Sequence, residues 1–212
     1  MVLRIIDIET TGTDPANARI IEIASVDLQD DNTITNPQEV LVKPGIPIPP
    51  ESSAIHHLID ADVENAQAIE QVVDRFKGAA GYAAHNAAFE KGFLHELLGQ
   101  PTWICTYKCA LRVWPDAPGY SNQALRYWLK EVEPFGYKRA DISPHRALSD
   151  CIVTACILAQ IRTGNLATSE QMTAWTAEPA LLTTITFGKH RGMKYKDAPS
   201  DYLEWMAGAQ DM

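Results

Sequence analysis

Four acidic residues and one histidine stand in three short motifs whose residue types suit phosphoryl chemistry. Asp7 and Glu9 fall in Asp-Ile-Glu-Thr-Thr-Gly, Glu90 ends His-Asn-Ala-Ala-Phe-Glu, and His145 and Asp150 bound His-Arg-Ala-Leu-Ser-Asp. Four carboxylates that converge on one point repel one another and need cations to offset their charge. If these five residues, the candidate catalytic set, converge, the sequence predicts a two-metal site acting on a phosphodiester.

Asp7 and Glu9 lie near the end of a segment typical of a buried central strand. Residues 2–8 are mostly apolar and rich in β-branched side chains. Residues two apart on a strand point to the same face, about 6.6 Å apart at the backbone. An unpaired carboxylate is costly in such a strand, which favours a role as cation ligand. The alternative is a solvent-facing pair of acids at the strand end.

His145 and Asp150 stand at the start of a predicted helix over 145–162. Ser143 followed by proline indicates the helix start, with Ser143 as the cap. Five residues along a helix turn the side-chain direction by about 500°, so His145 and Asp150 would point about 140° apart. His145 would then hang over a site that Asp150 lines from within the helix. Taken alone, His145 is more typical of a capping or surface histidine than of a catalytic one.

The charge of the chain is unevenly distributed. The net charge is −9, yet residues 1–100 carry 6 Lys and Arg against 16 Asp and Glu, whereas residues 101–212 carry 12 against 11. Three of the four candidate ligands lie in the acidic half, where bound cations would cancel part of the charge. The acidic total therefore does not exclude a phosphate substrate.

Composition indicates a soluble globular protein, with 46% hydrophobic and 21% charged residues. No apolar run reaches the roughly 20 residues that span a bilayer, and the N-terminal segment is typical of a strand rather than a signal peptide. We therefore expect a cytoplasmic protein with no membrane partner. The cysteines at 105, 109, 151 and 156 favour reduced, buried thiols. A zinc site is the alternative, although the spacings lack its usual two-residue gap.

The order of elements predicts a mixed α/β domain with a small C-terminal appendage. Strands over 2–8, 19–28 and 33–42 should form an antiparallel meander, interrupted in the third strand near Asn36-Pro37. A proline-rich loop over 44–50 follows. A short strand is predicted over 80–84, and helices over 66–77, 87–99, 106–113, 121–131 and 145–162. Because Gly164-Asn165 ends the last helix, we place one domain over 1–164 and an extension over 165–212.

Taken together, the three motifs resemble the DnaQ-like superfamily of 3′–5′ exonucleases, whose catalytic set is three aspartates, one glutamate and a histidine. The resemblance covers residues 1 to about 163, in the order of the family. Further segments are similar to exonuclease X-type proteins of that superfamily. They are Trp103-Ile-Cys-Thr-Tyr-Lys, Leu111-Arg-Val-Trp-Pro, Tyr120-Ser-Asn-Gln-Ala-Leu and Thr186-Phe-Gly-Lys.

The resemblance implies a ribonuclease H-like fold and a metal-dependent 3′–5′ exodeoxyribonuclease. Two Mg²⁺ (or Mn²⁺) ions, about 3.5–4 Å apart, would clamp the scissile phosphate. Their ligands would be Asp7, Glu9, Glu90 and Asp150, with Asp7 between the ions. His145 would be the general base that takes a proton from the attacking water. The product would be a nucleoside 5′-monophosphate.

Substrate contacts also follow from the resemblance. Thr10 would meet the terminal 3′-OH through its backbone N–H, and Ile55 and His56 would pack on the terminal nucleotide. His85, Asn86 and Phe89, which precede Glu90, complete the expected set; core packing is the alternative for Ile55 and Phe89. Polar groups at the 3′ end combined with apolar groups at the bases suit single-stranded DNA. RNA and a homodimer stay open as partners.

Glu90 departs from the family, which has aspartate at this position. The extra methylene adds about 1.5 Å of reach, whereas Mg²⁺ demands near-ideal octahedral geometry. The longer arm could ligate after a small helix shift, bind through a water, or weaken one metal site. Glu90 motivates one alternative function, a catalytically weak nucleic-acid-binding or polymerase-associated protein. An RNA 3′–5′ exonuclease of the ribonuclease T type is the other alternative, because the catalytic residues do not distinguish RNA from DNA.

The extension contains a basic run without any acid between residues 186 and 196. Its four cations are Lys189, Arg191, Lys194 and Lys196. One interpretation is a platform that contacts phosphates and steers strand ends to the site; the other is a solvated charged face. Gly188-Lys189 is not a P-loop, because His190 stands where Ser or Thr is required.

Overall fold

The apolar segment that carries Asp7 and Glu9 is the central strand of a five-stranded sheet. The computed structural model describes residues 2–208, and its strand order is β3-β2-β1-β4-β5. Strands β1 and β2, and β2 and β3, pair antiparallel, whereas β4 and β5 run parallel to β1. The antiparallel meander and the mixed sheet are therefore confirmed. The strands are β1 (Leu3–Thr10), β2 (Ile20–Leu28), β3 (Ile34–Leu41), β4 (Tyr82–Ala84) and β5 (Trp103–Cys105).

The rest of the described chain forms helices, short 3₁₀ turns and the loops that join them. Short 3₁₀ turns occupy Val73–Phe76, Pro134–Gly136, Arg139–Asp141 and Tyr195–Asp197. The α-helices are α1 (Pro50–His56), α2 (Asp60–Val63), α3 (Ile69–Val72), α4 (Ala88–Leu94), α5 (Thr106–Val113), α6 (Asn122–Trp128), α7 (Ala147–Thr163), α8 (Ser169–Ala177) and α9 (Ser200–Gly208).

Alternation along β1 divides the core into two layers. Leu3 and Ile5 pack in the cluster that contains the buried residues of α7, whereas Ile6 and Ile8 pack on the opposite face with Phe76. Because side chains two apart share a face, Asp7 and Glu9 belong to the face covered by α7. The sheet thus directs both acids toward the helix that carries the third motif.

Local signals located most elements but misplaced several boundaries. The helix expected over 66–77 is a single α-turn followed by a 3₁₀ turn, and α4 ends at Leu94 rather than 99. The strand β5 and the helices α1, α2, α8 and α9 were not predicted. Pro50 occupies the first turn of α1, a position that tolerates proline because its missing N–H would be unpaired anyway. The interruption of β3 is confirmed, since Asn36 has a positive φ of 53°.

The segment after α7 packs onto the edge of the sheet. Helix α8 lies against β5 and α5, and its Met172 is buried in the core cluster of α7. The four cysteines are buried and free, as the reduced-thiol interpretation predicted. Within residues 2–208, no helix is both long and apolar enough to cross a membrane.

Candidate active site

The three sequence motifs meet in one cleft at the end of β1. The end of β1, the start of α4 and the loop before α7 each contribute residues, and the cavity has a volume of about 510 Å³. The structure brings the five members of the candidate catalytic set together, as the sequence predicted. The cleft is lined by Asp7, Ile8, Glu9, His85, Asn86, Phe89, Glu90, Ser121, Asn122, Gln123, Pro144, His145 and Asp150.

Glu9, His145 and Asp150 form the tightest group in the cleft. One potential ligand atom from each lies within 4.8 Å of the others, a spacing compatible with a shared metal ion. Asp7 and Glu90 line the same cleft outside this group. The five candidates therefore lie together, with three of them close enough to bind one ion.

The carboxylates of the cleft resist ionisation. Burial, followed by the charges of Asp150 and Glu22, raises the pKa of Glu9 to about 8. Burial also raises the pKa of Glu90 to about 8, with further repulsion from Glu9 and Asp150. The pKa of Asp7 is raised well above its usual range, first by burial and then by Glu90. Such a site favours either protons or cations.

Glu90 is almost fully buried, with 3% of its surface exposed. Its Oε2 atom is buried and has no hydrogen-bond partner among the described residues. A buried polar atom without a partner is costly, and a carboxylate oxygen facing a cavity is a typical ligand atom for a divalent cation. The longer side chain is thus accommodated within the cleft.

Asp150 is fixed by contacts from two directions. The backbone N–H of His145 donates to Oδ2 at 2.8 Å, and the side-chain amide of Asn122 donates to Oδ1 at 3.5 Å. The Thr154 hydroxyl donates to Asn122 at 3.2 Å. Burial raises the pKa of Asp150, although the His145 N–H partly offsets this effect. These contacts orient the carboxylate toward the cleft.

The predicted helix start at Ser143 is wrong. Helix α7 begins at Ala147, and His145 lies before it in a left-handed conformation with φ 58°, which few non-glycine residues adopt. The side chain of His145 is exposed at the mouth of the cleft. The idea that His145 hangs from the loop while Asp150 lines the site from the helix agrees with this arrangement.

Glu22 and Arg146 were missed as contributors to the site. Glu22 faces Glu9 across the β1–β2 pair and is fully buried. Arg146 donates to both carboxylate oxygens of Glu22, at 2.6 and 3.1 Å, and the Ala147 N–H donates to Oε2 at 2.9 Å. An acid within the apolar run Ile-Ile-Glu-Ile-Ala is the same signal that identified Asp7, and it could have identified Glu22.

Half of the predicted substrate contacts line the cleft, namely His85, Asn86 and Phe89. Thr10, Ile55 and His56 do not. The Thr10 hydroxyl donates to the Gly12 carbonyl at 2.6 Å. Core packing of Ile55 is excluded, because this residue of α1 is 52% exposed. His56 is buried, and its Nδ1 accepts the Leu58 N–H at 3.0 Å.

His85 lines the cleft as an uncharged imidazole. Its Nε2 lies 2.6 Å from the Tyr120 carbonyl, which can only accept, so Nε2 carries the proton. Nδ1 then accepts from the Thr106 hydroxyl at 2.9 Å. Burial lowers the pKa of His85 to about 4. His85 therefore positions the loop before α4 and does not supply charge.

Comparison with known proteins places this geometry in a family. The RNase T exonuclease family model matches residues 5–158, which is most of the chain and includes all five members of the catalytic set. The chain belongs to this exonuclease family. The predicted enzyme class, a 3′–5′ exonuclease that hydrolyses phosphodiesters, and the resemblance to DnaQ-like proteins are confirmed.

Relatives extend the likeness beyond the family domain. Exodeoxyribonuclease 10 of Escherichia coli strain K12 is 42% identical over 97% of this chain and 90% of its own length. The DNA polymerase III subunit epsilon of Aquifex aeolicus is 29% identical over 74% of this chain and 78% of its own.

Solved structures confirm the ribonuclease H-like fold. The structure of exonuclease X in complex with 5′ overhanging duplex DNA has a TM-score of 0.69 and 40% identity, over 82% of this chain and 99% of that chain. Escherichia coli exonuclease I in complex with a dA16 oligonucleotide has a TM-score of 0.60 at 13% identity, over 78% of this chain and 42% of that chain. The second likeness supports the fold alone.

Proposed function

We propose that the enzyme is a divalent-metal-dependent exodeoxyribonuclease that removes nucleoside 5′-monophosphates from DNA 3′ ends. The observation that carries the proposal is the cleft of buried carboxylates, in which the pKa values of Glu9 and Glu90 are both about 8. The name of the 42% identical relative, an exodeoxyribonuclease, supports DNA as the substrate.

The residues of the cleft fit Mg²⁺ or Mn²⁺. Carboxylate oxygens are the ligands that these ions prefer, and Glu90 offers an oxygen with no hydrogen-bond partner among residues 2–208. Asp7, Glu9, Glu90 and Asp150 would hold two ions, whose charge they would balance. When bound, the ions would neutralise the phosphate and stabilise the charge that develops on its oxygens.

His145 would act as the general base. Its ring lies at the mouth of the cleft, within 4.8 Å of ligand atoms of Glu9 and Asp150, where it can accept a proton from the attacking water. The water oxygen would bond to the phosphorus while the bond to the 3′ oxygen of the preceding nucleotide breaks. The terminal nucleotide would leave with its 5′ phosphate, and the shortened strand would keep a new 3′-OH.

The proposed exodeoxyribonuclease function also assigns roles to the residues that would contact the substrate. His85, Asn86 and Phe89 would meet the terminal nucleotide inside the cleft, and the Thr10 backbone N–H would meet its 3′-OH. The exposed side chain of Ile55 would pack on the sugar and base, whereas the adjacent His56 is buried and would not reach them. Apolar contacts of this kind are tolerant of sequence and suit an unpaired strand end.

The test measures hydrolysis of end-labelled single-stranded DNA, blunt duplex DNA and RNA in Mg²⁺, in Mn²⁺ and in EDTA. Wild type should degrade DNA from its 3′ end, and EDTA should abolish the activity. Asp7→Asn and Asp150→Asn should each lose most of the activity. Glu70→Gln is the matched control, because Glu70 is an exposed acid in α3, and it should retain full activity.

A Glu90→Asp variant, which restores the aspartate of the family, distinguishes the exodeoxyribonuclease from the binding-protein alternative. Glu90→Asp should keep metal-dependent hydrolysis and change the relative rates in Mg²⁺ and Mn²⁺. Faster decay of RNA than DNA would favour the ribonuclease alternative. Hydrolysis by Glu90→Asp alone would favour the binding-protein alternative, and failure of both proteins on every substrate would refute the proposal.

A further inference from the structure

A groove continues from the cleft toward the C-terminal extension. A second cavity of about 630 Å³ shares His85, Asn86 and Ser121 with the cleft. A third cavity of about 300 Å³ shares Thr183 with the second. We call the second and third cavities the lateral groove. It leads from the candidate catalytic set to residues beyond 158, where the match to the exonuclease family ends.

The extension is anchored as one wall of the lateral groove. Lys108 of α5 donates to the carbonyls of Thr176 and Glu178, at 2.8 and 2.6 Å. Arg112, one turn later on α5, pairs with the Glu178 carboxylate at 2.8 Å. Because Tyr107 of the same helix lines the groove, these contacts fix the two walls relative to each other.

A tight hairpin sets the far end of the groove. Thr184 bridges to Lys194, and buried Ile185 exchanges backbone hydrogen bonds with the returning chain. Gly188 and Gly192, with φ of 69° and 87°, allow the turn because glycine adopts positive φ without strain. The hairpin places Lys194 and Lys196 in the third cavity.

The middle of the groove offers flat, uncharged surfaces. Tyr107 and Tyr120 line it, with ring centroids 6.5 Å apart in an edge-on arrangement. His85 stands beside them, held neutral by burial. Aromatic faces without charge suit stacking of nucleobases, an interaction that depends little on sequence.

The two lysines at the far end share one acid. Lys194 and Lys196 contact the same Asp116 oxygen at 3.0 and 3.4 Å, and the Asp116 side chain is 75% exposed. Exposed ion pairs of this kind are weak, so another anion can replace the carboxylate. Two positive charges against one negative charge also leave a net attraction for a phosphate.

We propose that the lateral groove binds the nucleotides that precede the scissile phosphodiester, and that Asp116 occupies the phosphate position on Lys194 and Lys196 when DNA is absent. The assignment rests on the proposed exodeoxyribonuclease function. It gives the extension a defined role, because only strands long enough to reach the lysines would gain from it. It also makes Asp116 a competitor of the substrate.

The test compares a dinucleotide with a single-stranded oligodeoxynucleotide of about twelve residues. The double variant Lys194→Ala/Lys196→Ala should lower kcat/KM on the long substrate about tenfold and leave the dinucleotide unchanged. Asp116→Asn should raise kcat/KM on the long substrate, again without effect on the dinucleotide. Asp74→Asn is the matched control, since Asp74 and Lys77 form an exposed pair at 2.7 Å outside the groove.

Direct binding separates this proposal from the proposed function. Fluorescence anisotropy in EDTA reports affinity for the long oligonucleotide without hydrolysis, and Asp116→Asn should bind more tightly than wild type. If Asp116→Asn binds the long oligonucleotide more tightly than wild type, but neither protein hydrolyses either substrate, the groove assignment stands and the exonuclease proposal fails. Equal losses on both substrates in the lysine variant, or no gain in Asp116→Asn, would overturn the groove assignment.

Discussion

At the residue scale, the raised pKa values of the cleft predict how the metal-free enzyme responds to pH. The pKa values of Glu9 and Glu90 are about 8 in the folded protein, against 4.5 for an ordinary glutamate. Between about pH 4.5 and 8 the folded state therefore binds more protons than the unfolded state, and stability falls as pH rises. Melting in EDTA should show Tm decreasing across this window, and Mg²⁺ should oppose the decrease.

Glu90→Gln isolates the contribution of one carboxylate. The amide keeps the size of the side chain and removes its charge, so Tm in EDTA should rise at about pH 8 and change little near pH 4.5. The added Mg²⁺ should stabilise this variant less than wild type. Glu70→Gln, at an exposed position, should change neither quantity. A Tm of Glu90→Gln below that of wild type at about pH 8 would contradict the electrostatic explanation.

His145→Asn tests the general base without removing the loop geometry. Asparagine tolerates the left-handed conformation that His145 adopts at φ 58°, and its backbone N–H can still donate to Asp150. We expect a loss of about 10²- to 10⁴-fold in kcat, with Tm unchanged. Single-turnover kinetics would measure the chemical step, and a rate close to wild type would remove His145 from that role.

At the element scale, the ion pair between Arg146 and Glu22 fastens the start of α7 to β2. Arg146→Lys keeps the charge but cannot reproduce the paired contacts of the guanidinium. Because α7 carries Asp150 and the preceding loop carries His145, we expect activity to fall about 10- to 100-fold, as for other residues that orient metal ligands. Titration of activity against Mg²⁺ should show a weaker apparent affinity.

The fold contains a matched control for this pair. Arg4 of β1 likewise makes two contacts with an acid of β2, here Asp27, at 2.7 and 2.9 Å. This pair lies at the end of β1 away from the cleft. Arg4→Lys should cost about 1.5–3 kcal/mol of stability with normal kcat and Mg²⁺ dependence. If Arg146→Lys and Arg4→Lys both lose only stability, Arg146 has no positioning role.

Elements with long periodic patterns were predicted well, whereas short elements and helix boundaries were not. Helix α5 matches its predicted range, because the signals for it lie within its own sequence. The start of α7 was misplaced because Glu22, which is 125 residues away, accepts the Ala147 N–H. This long-range contact replaces the local cap at Ser143. The strand β5 has only three residues, too few for a period to be recognised.

The candidate site was more predictable than its surroundings. Acids in apolar segments and a family resemblance identified the candidate catalytic set, since the proposed metal-dependent chemistry requires these residue types. The basic run predicted Lys194 and Lys196 as possible phosphate contacts, but not the lateral groove, because only the folded hairpin brings these lysines to Asp116. Their proximity depends on packing between segments almost eighty residues apart in sequence.

At the scale of the whole molecule, the charge distribution predicts that cations control DNA binding. Residues 1–100 carry 16 acids against 6 bases, and this excess of acids produces a negative potential that repels phosphates. Affinity for single-stranded DNA should be at least about tenfold higher in Ca²⁺ than in EDTA, a difference of about 1.4 kcal/mol. Anisotropy at constant ionic strength would measure it; equal affinities would mean that bound cations are not needed to admit DNA.

The contact between Glu22 and Arg146 spans 124 residues, and this separation has a consequence for biosynthesis. A growing chain that ends before α7 already contains Asp7, Glu9 and Glu90, but it lacks His145, Asp150 and the helix that covers their face of the sheet. The meander can pair early because its contacts are local, whereas the cleft closes only after residue 163 has left the ribosome. We therefore expect the nascent chain to be inert toward the nucleic acid around it until α7 has emerged from the ribosome.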